Sequence, residues 1–270
     1  MADPTRKPGR QPDLPQRLPR PDALSFTLYV AVAAFVIWCF QAAEMSVTAF
    51  IEGVPSMGRL IGEMFPPAFG RMDSIGATML ETFQMAVVGT VLGVALSIPF
   101  AVMAARNQTP NRVVYYLARG VITFVRTVPD LIWAIFFVIT VGLGPFAGVL
   151  ALTVDTLGFC ARFFAETMEE ADPGPQEALT ALGAKRSGIV LGAVLPAAMP
   201  SMVATSLFAL EKATRSSVVL GLVGAGGIGI ELKAAMDMFD YNEAATIILS
   251  IFALVVLVER ISAALRARLI

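Results

Sequence analysis

Glu177-Ala178-Leu179-Thr180-Ala181-Leu182-Gly183, followed after an amphipathic interval by Leu195-Pro196, is a polar island set between long apolar stretches. The fold turns on what those flanks are. The chain is 56% hydrophobic and 15% charged over 270 residues, with a mean hydropathy of +0.72, which is too apolar for an ordinary soluble domain. Apolar windows long enough for a bilayer core of ~30 Å fall near residues 24–43, 80–105, 113–141, 145–165, 200–223 and 244–258. Runs this continuous do not read as a transmembrane barrel, whose strands alternate in short segments. In hydrocarbon a helix satisfies its own backbone. The expected fold is all-α, a polytopic membrane bundle of about six transmembrane helices with the polar island as a short helical element outside the bilayer.

Basic residues near the span ends set the orientation. Arg6, Lys7, Arg10, Arg17 and Arg20 precede the first window and place the N-terminus in the cytoplasm. Arg106 and Arg112 mark a cytoplasmic turn, Gly142 to Gly144 an outer one, Lys185 and Arg186 fall in the island, and Arg260, Arg266 and Arg268 put the C-terminus inside. The island is thus expected on the cytoplasmic face, a conclusion reached without using its spelling. Residues 1–23, rich in Pro, Arg and Gln, read as a disordered cytoplasmic tail, 24–78 as the first transmembrane helix and an external segment, and 79–270 as the main transmembrane domain. The alternative for residues 1–43 is a cleaved signal peptide, against which stand the length of the apolar run and the lack of a clear small-residue cleavage site.

Composition also removes chemistries. There is no histidine, which excludes Ser-His-Asp, Cys-His and HExxH sites. Cys39 and Cys160 lie singly in apolar runs with no disulfide or zinc spacing. No catalytic or metal-binding set is expected, and a net charge of -1 offers nothing to gather nucleic acid. No GxxxxGK[ST] occurs, so no phosphate loop for ATP is expected in this chain. Gly224-Ala-Gly226-Gly227-Ile-Gly229 fits GxGxxG by letter, with Glu243 beyond it, but it follows a membrane span and lacks the strand that a dinucleotide site requires. It reads instead as a glycine-rich hinge or tight re-entry at the outer mouth.

Within the island, Asp172-Pro173-Gly174-Pro175 breaks the preceding helix and Gln176-Glu177-Ala178-Leu179 starts a new one. Gly183 permits a bend, Ile189, Val190 and Leu191 give the next turn an apolar side, and Leu195-Pro196 is expected to end it. Two short helices joined at a glycine make a knob that can transmit rigid-body force.

The order Glu177-Ala178, Gly183, Leu195-Pro196 resembles the cytoplasmic loop by which permease subunits of bacterial ABC importers engage their ATPase. Leu179 stands where the third motif residue is often Ala, and Ala193 where Ile is common. Residues 81–86, the stretch Arg126-Thr127-Val128-Pro129-Asp130-Leu131-Ile132-Trp133-Ala134, and residues 218–229 are similar to the phosphonate ABC transporter permease subunit, a type I importer permease with a methionine-permease-like fold. The match runs from about Glu81 to the C-terminus. The resemblance implies a bacterial inner-membrane protein whose coupling loop spans 173–196, a cytoplasmic ATPase dimer holding ATP and Mg, an extracytoplasmic phosphonate-binding protein, and a second permease, identical or a sister chain.

Charges inside spans are candidates for the translocation pathway, because an unpaired charge at mid-bilayer costs about 2.5–3.5 kcal/mol. Glu211, Lys212 and Arg215 interrupt the fifth window, and Glu211 and Arg215, four apart, either bridge each other or line a cavity, where Arg215 suits a phosphorus oxyanion. Arg126, Pro129 and Asp130 form a second polar break, and Glu81 sits near the outer end of its span. The expected function is the path for phosphonate or a related oxyanion. The alternatives are a permease for another small solute such as methionine, or, in another class, a passive channel or membrane enzyme.

Overall fold

Among the described residues the regular structure is helical alone, and small residues set how closely the helices approach. The computed structural model describes residues 22–268, where eleven α-helices and no strand are found. The expected N-terminal tail and its basic residues from Arg6 to Arg20 lie outside that range. Two compact units divide at Gly58.

The first unit holds α1 (Ala23–Ala42) and the start of α2 (Val47–Glu63). Asp22 caps α1 by accepting the Ala23 N–H at 2.9 Å, and none of the α1 side chains is buried. Along α2, Val47, Phe50, Ile51, Val54, Met57 and Ile61 recur at helical spacing. That amphipathic helix was not foreseen, because its apolar residues are periodic rather than continuous.

The second unit is a bundle of α3 (Met72–Ala104), α4 (Arg112–Thr127), α5 (Asp130–Val141), α6 (Pro145–Glu170), α7 (Pro173–Ala181), α8 (Arg186–Ile189), α9 (Leu195–Gly221), α10 (Ile228–Asp237) and α11 (Tyr241–Arg266). Lipid supplies no hydrophobic drive between helices, so close backbone approach must hold them. Accordingly α3 buries Ala86, Gly89, Gly93, Ser97 and Ala101 along one stripe against α6. A Cβ on Gly93 would stand 2.8 Å from the Thr153 carbonyl oxygen, and one on Gly89 would stand 2.6 Å from Leu152 Cβ. Toward the α7 end, Ala101, Ala104, Ala161, Phe164, Ala165 and Met168 close the core with Val194 and Ala198; toward the other end, Met85, Leu152, Leu220 and Ala225 do so. Large apolar side chains such as Val91, Ile139, Phe252 and Leu257 point outward, the inverse of a soluble protein.

Among the described residues five helices are long and apolar enough to cross a membrane, or six where α4 and α5, bent by 89° across the break at residues 128–129, count as one span. This agrees with the expected count. Leu195-Pro196, however, does not end a helix. From Arg186 to Gly221 the chain is one 36-residue helix, and Val190–Val194 forms a π-turn within it. The reason is local: Pro196 has no N–H for the Gly192 carbonyl, and the wider turn, in which Leu195 N–H reaches Val190 O, carries the helix past it.

Substituting Gly93→Val should lower thermal stability in detergent by about 1–3 kcal/mol through overpacking. Gly76→Ala, where a Cβ meets nothing within 4 Å, should not. Equal melting of the two variants would show that the α3–α6 approach is not what holds the bundle.

Candidate functional site

Three groups of predicted residues occupy three levels of the bundle. The polar segment lies where α6 ends. Asp172 accepts the Gly174 N–H at 2.9 Å and Pro173 opens α7, as its missing N–H permits. At the far end Gly183 takes φ +75, its N–H reaches Thr180 O at 3.0 Å, and Ala184 N–H reaches Leu179 O at 3.0 Å. This is a glycine-terminated helix cap. A Cβ at Gly183 would meet nothing within 4 Å, so the glycine serves backbone conformation and not close approach. α7 then folds back on the π-turn, where Leu179 Cδ1 lies 3.4 Å from the place of a Gly192 Cβ. The departure from Ala at Leu179 is thus matched by a glycine opposite.

Glu177 and Ala178 face outward, and Leu182 is 82% exposed, which leaves acid and apolar surface on the outside of the knob. On its inner side the knob is tied to the α3–α4 turn. Gln108 Nε2 donates to Gln176 Oε1 at 2.9 Å, Arg186 donates to the Thr109 carbonyl, and Asn107 Nδ2 donates to Met168 O at 2.9 Å. Glu169 anchors the same turn, accepting from Arg106 N–H at 2.7 Å and from Arg119 at 2.8 Å.

Half-way along the bundle lies the second group. Pro129 starts a new helix axis, and Asp130 accepts its own Leu131 N–H at 2.9 Å and the Ser216 hydroxyl of α9 at 2.7 Å. Arg126 lays its stem against α6, where a Cβ on Gly158 would stand 3.0 Å from Arg126 Cγ. Gly158 is near the middle of the 26-residue α6, which puts Arg126 near mid-span. Arg126 and Arg215 are both exposed, and neither makes an ion pair among the described residues.

Glu211 and Arg215 do not bridge each other. Glu211 is 6% exposed and turns to α11, where Arg266 lies 2.6 Å away at an angle outside hydrogen-bonding range. The burial pattern of α9 sends Arg215 to the surface instead. Lys212 is held as well, both oxygens of Asp155 lying 2.8 Å from Nζ, with the Phe159 ring 5.4 Å from it.

The sequence alone did not reveal Asp155 and Ser216 as partners, since each lies far along the chain from the group it meets, 57 residues for Asp155 and Lys212 and 86 for Ser216 and Asp130. It also missed that Arg112, Arg119 and Arg126 share one face of α4. Their spacing of seven is the signal that could have revealed it.

The third group closes the opposite end of α9. Gly224, Gly226 and Gly227 have φ of +86, +87 and +75, conformations that side chains oppose. A Cβ on Gly226 would stand 2.6 Å from Pro145 Cα. Gly229 is helical and packs on Gly221, with 2.8 Å between a Cβ built on it and Gly221 Cα. Glu81 accepts the Gly227 N–H at 2.9 Å and Thr82 the Ile228 N–H at 2.8 Å, so α3 caps the start of α10. No strand precedes the glycines among the described residues, and no group of three or more Cys, Asp or Glu there could hold a metal.

Residues 97–270 match the family described as binding-protein-dependent transport system inner membrane component. The chain is similar to the phosphate-import permease protein PhnE of Mycolicibacterium smegmatis, 38% identical over 97% of this chain and 49% of that protein. It therefore spans about half the length of that relative. It is also similar to the phosphite transport system permease protein PtxC of Stutzerimonas stutzeri, 38% identical over 88% of this chain and 86% of the other. Its fold matches a chain of the MetNI methionine ABC transporter in an inward-facing conformation, with a TM-score of 0.67 and 23% identity over 75% of this chain and 99% of that one.

If the Glu211–Arg266 pair neutralises a buried charge, Arg266→Ala should destabilise the protein by about 3–5 kcal/mol, and Glu211→Ala in the same chain should restore part of the loss. Additive losses in a double-mutant cycle read by thermal unfolding would refute the pairing.

Proposed function

Because the chain belongs to the binding-protein-dependent transport system inner membrane component family, we propose that it is the permease of an ABC importer whose cargo is phosphonate or a related phosphorus oxyanion. The observation that carries the mechanism is the unbroken helix from Arg186 to Gly221. It begins in the knob and carries Arg215, so a push on the knob is a push on the pathway.

In this reading the α7 end is cytoplasmic. Arg106, Arg112, Lys185 and Arg186 gather there, as cytoplasmic loops favour. At the glycine end the described cations are matched, Arg71 by Glu231 and Glu243, and Lys233 by Asp237. A cytoplasmic ATPase dimer, holding ATP and Mg, seats the knob by Glu177, Ala178 and Leu182. When it closes on ATP, α7 and α8 move together, because Leu179 packs on the π-turn and Gln176 and Arg186 grip the α3–α4 turn. The helices rock and the path opens outward to receive cargo from a binding protein at the glycine-rich end. There Glu81 and Thr82 clamp Gly227 and Ile228, and the glycine turn acts as hinge. This chain itself conducts and transmits and does no covalent chemistry. A second permease, identical or a sister, completes the path in the bacterial inner membrane.

Arg126 and Arg215 support an anionic cargo. An exposed guanidinium at mid-span is costly against lipid, so both face a water-filled cavity, where their planar donors suit a tetrahedral oxyanion. Asp130 holds the bend in place through Ser216. Methionine is the second reading, favoured by the fold; relatives named for phosphate and phosphite at 38% identity stand against it, as do the two free arginines.

Uptake by the complex in proteoliposomes should fall at least tenfold for Glu177→Arg and for Gly183→Pro, whose φ of +75 proline cannot adopt, with membrane insertion unchanged. Loss of ATPase co-purification on deleting residues 173–196 checks the same contact. Undiminished uptake by both point variants would sink the coupling assignment. Arg215→Ala should lower transport of a phosphonate at constant protein abundance; growth on phosphonate, phosphite or phosphate as sole phosphorus source, compared with methionine uptake, decides the cargo.

A further inference from the structure

The α3–α4 turn holds a feature that the transport path does not use. An open pocket of about 460 Å³ is lined by Arg106, Thr109, Arg112, Tyr115 and Tyr116. No carboxylate is among those lining residues. Arg106 Nε donates to the Tyr115 hydroxyl at 2.9 Å, which leaves both terminal nitrogens of Arg106 and the phenolic proton of Tyr115 available. The nearby carboxylate of Glu169 is taken by the Arg106 backbone N–H and by Arg119. The Tyr115 bond and then Glu169 raise the Arg106 pKa above its ordinary value, so the charge stays fixed throughout the physiological range.

Arg112 adds an unusual element. It is the first residue of the 16-residue α4, whose first turn contains no acid, and it makes no ion pair among the described residues. A helix N-terminus favours negative charge, yet here it meets a cation. Two guanidiniums, two phenols and a helix start converge with no carboxylate in the lining, and Glu169 beyond it already accepts the Arg106 N–H and pairs with Arg119. A general excess of cations on a cytoplasmic face accounts for basic residues, but not for their convergence on one pocket.

We propose that this pocket binds a tetrahedral phosphorus oxyanion, either free in solution or as the head group of an anionic lipid. Arg106 offers its terminal nitrogens as a bidentate pair, Arg112 supplies the second charge, and the Tyr115 hydroxyl donates to a third oxygen. The rim is joined to the knob, since Thr109 gives its carbonyl to Arg186 and Gln108 donates to Gln176. The binding claim rests on the pocket alone; any effect on transport rests on the coupling reading.

The test uses the complete permease–ATPase complex in nanodiscs of phosphatidylcholine, with and without phosphatidylglycerol. Radiolabelled inorganic phosphate is titrated by equilibrium dialysis without nucleotide, and phosphatidylglycerol retained through delipidation is quantified. The parent is compared with an Arg106→Gln, Arg112→Gln variant, and the difference removes phosphate held by the ATPase. At least tenfold weaker phosphate binding in the variant identifies a free oxyanion site. Unchanged phosphate binding with phosphatidylglycerol retention lost identifies a head-group site. Equal phosphate affinity and equal lipid retention overturn the proposal. Both arginines are exposed, and matched melting temperatures confirm that the variant is folded. Uptake is scored separately in proteoliposomes: a parent that shows the phosphate difference but no uptake refutes the transport reading and leaves the pocket standing.

Discussion

Inside hydrocarbon each backbone amide must find its partner within the chain, because leaving one unpaired costs several kcal/mol. The described architecture follows from that constraint. It makes every described span a helix, and since lipid is as apolar as leucine, it leaves helix association to close contact and buried polar pairs. The Gly89–Gly93 stripe of α3 provides the contact against α6. Asp155 with Lys212 and Glu211 with Arg266 provide the pairs. Where backbone does leave the helix, at Val128-Pro129 and in the glycine turn, the neighbouring polar groups are supplied by Asp130, Glu81 and Thr82.

The same constraint explains the join between knob and bundle. A proline ten residues beyond a helix start would ordinarily break the ladder. A π-turn keeps the helix running, so the polar segment and the membrane-crossing part of α9 form one rigid element. Rigidity here is not only along the axis. The α3–α4 turn, held by Glu169 and bonded to Gln176 and Arg186, braces the knob from the side. In the proposed coupling both are needed, since a hinge at the membrane surface would dissipate the stroke.

Much of this was legible in the chain. Continuous apolar windows marked α1, α3, α6, α9 and α11, because membrane burial needs length more than pattern. The break at Pro129 and the turn at Gly183 were legible because proline and positive-φ glycine act through their own covalent geometry. α2 escaped because amphipathic spacing does not stand out in a hydropathy window. The Glu211–Arg215 expectation failed for a different reason. Spacing by four places two side chains within reach, but the tertiary fold brought Arg266 of α11 to Glu211 and left Arg215 outward.

By itself the sequence determined the helical class, the span count of about six, the place of the polar segment and the residues that must be glycine or proline, since each follows from local sterics or from transfer of a contiguous run into lipid. Only the tertiary structure decided which charge pairs with which, that Glu81 caps the glycine turn from 146 residues away, that Leu195-Pro196 lies within a helix, and that Arg106 and Arg112 share a pocket with Tyr115. Those outcomes depend on which faces of distant helices meet, and helix packing sets that through contacts between residues far apart in the chain.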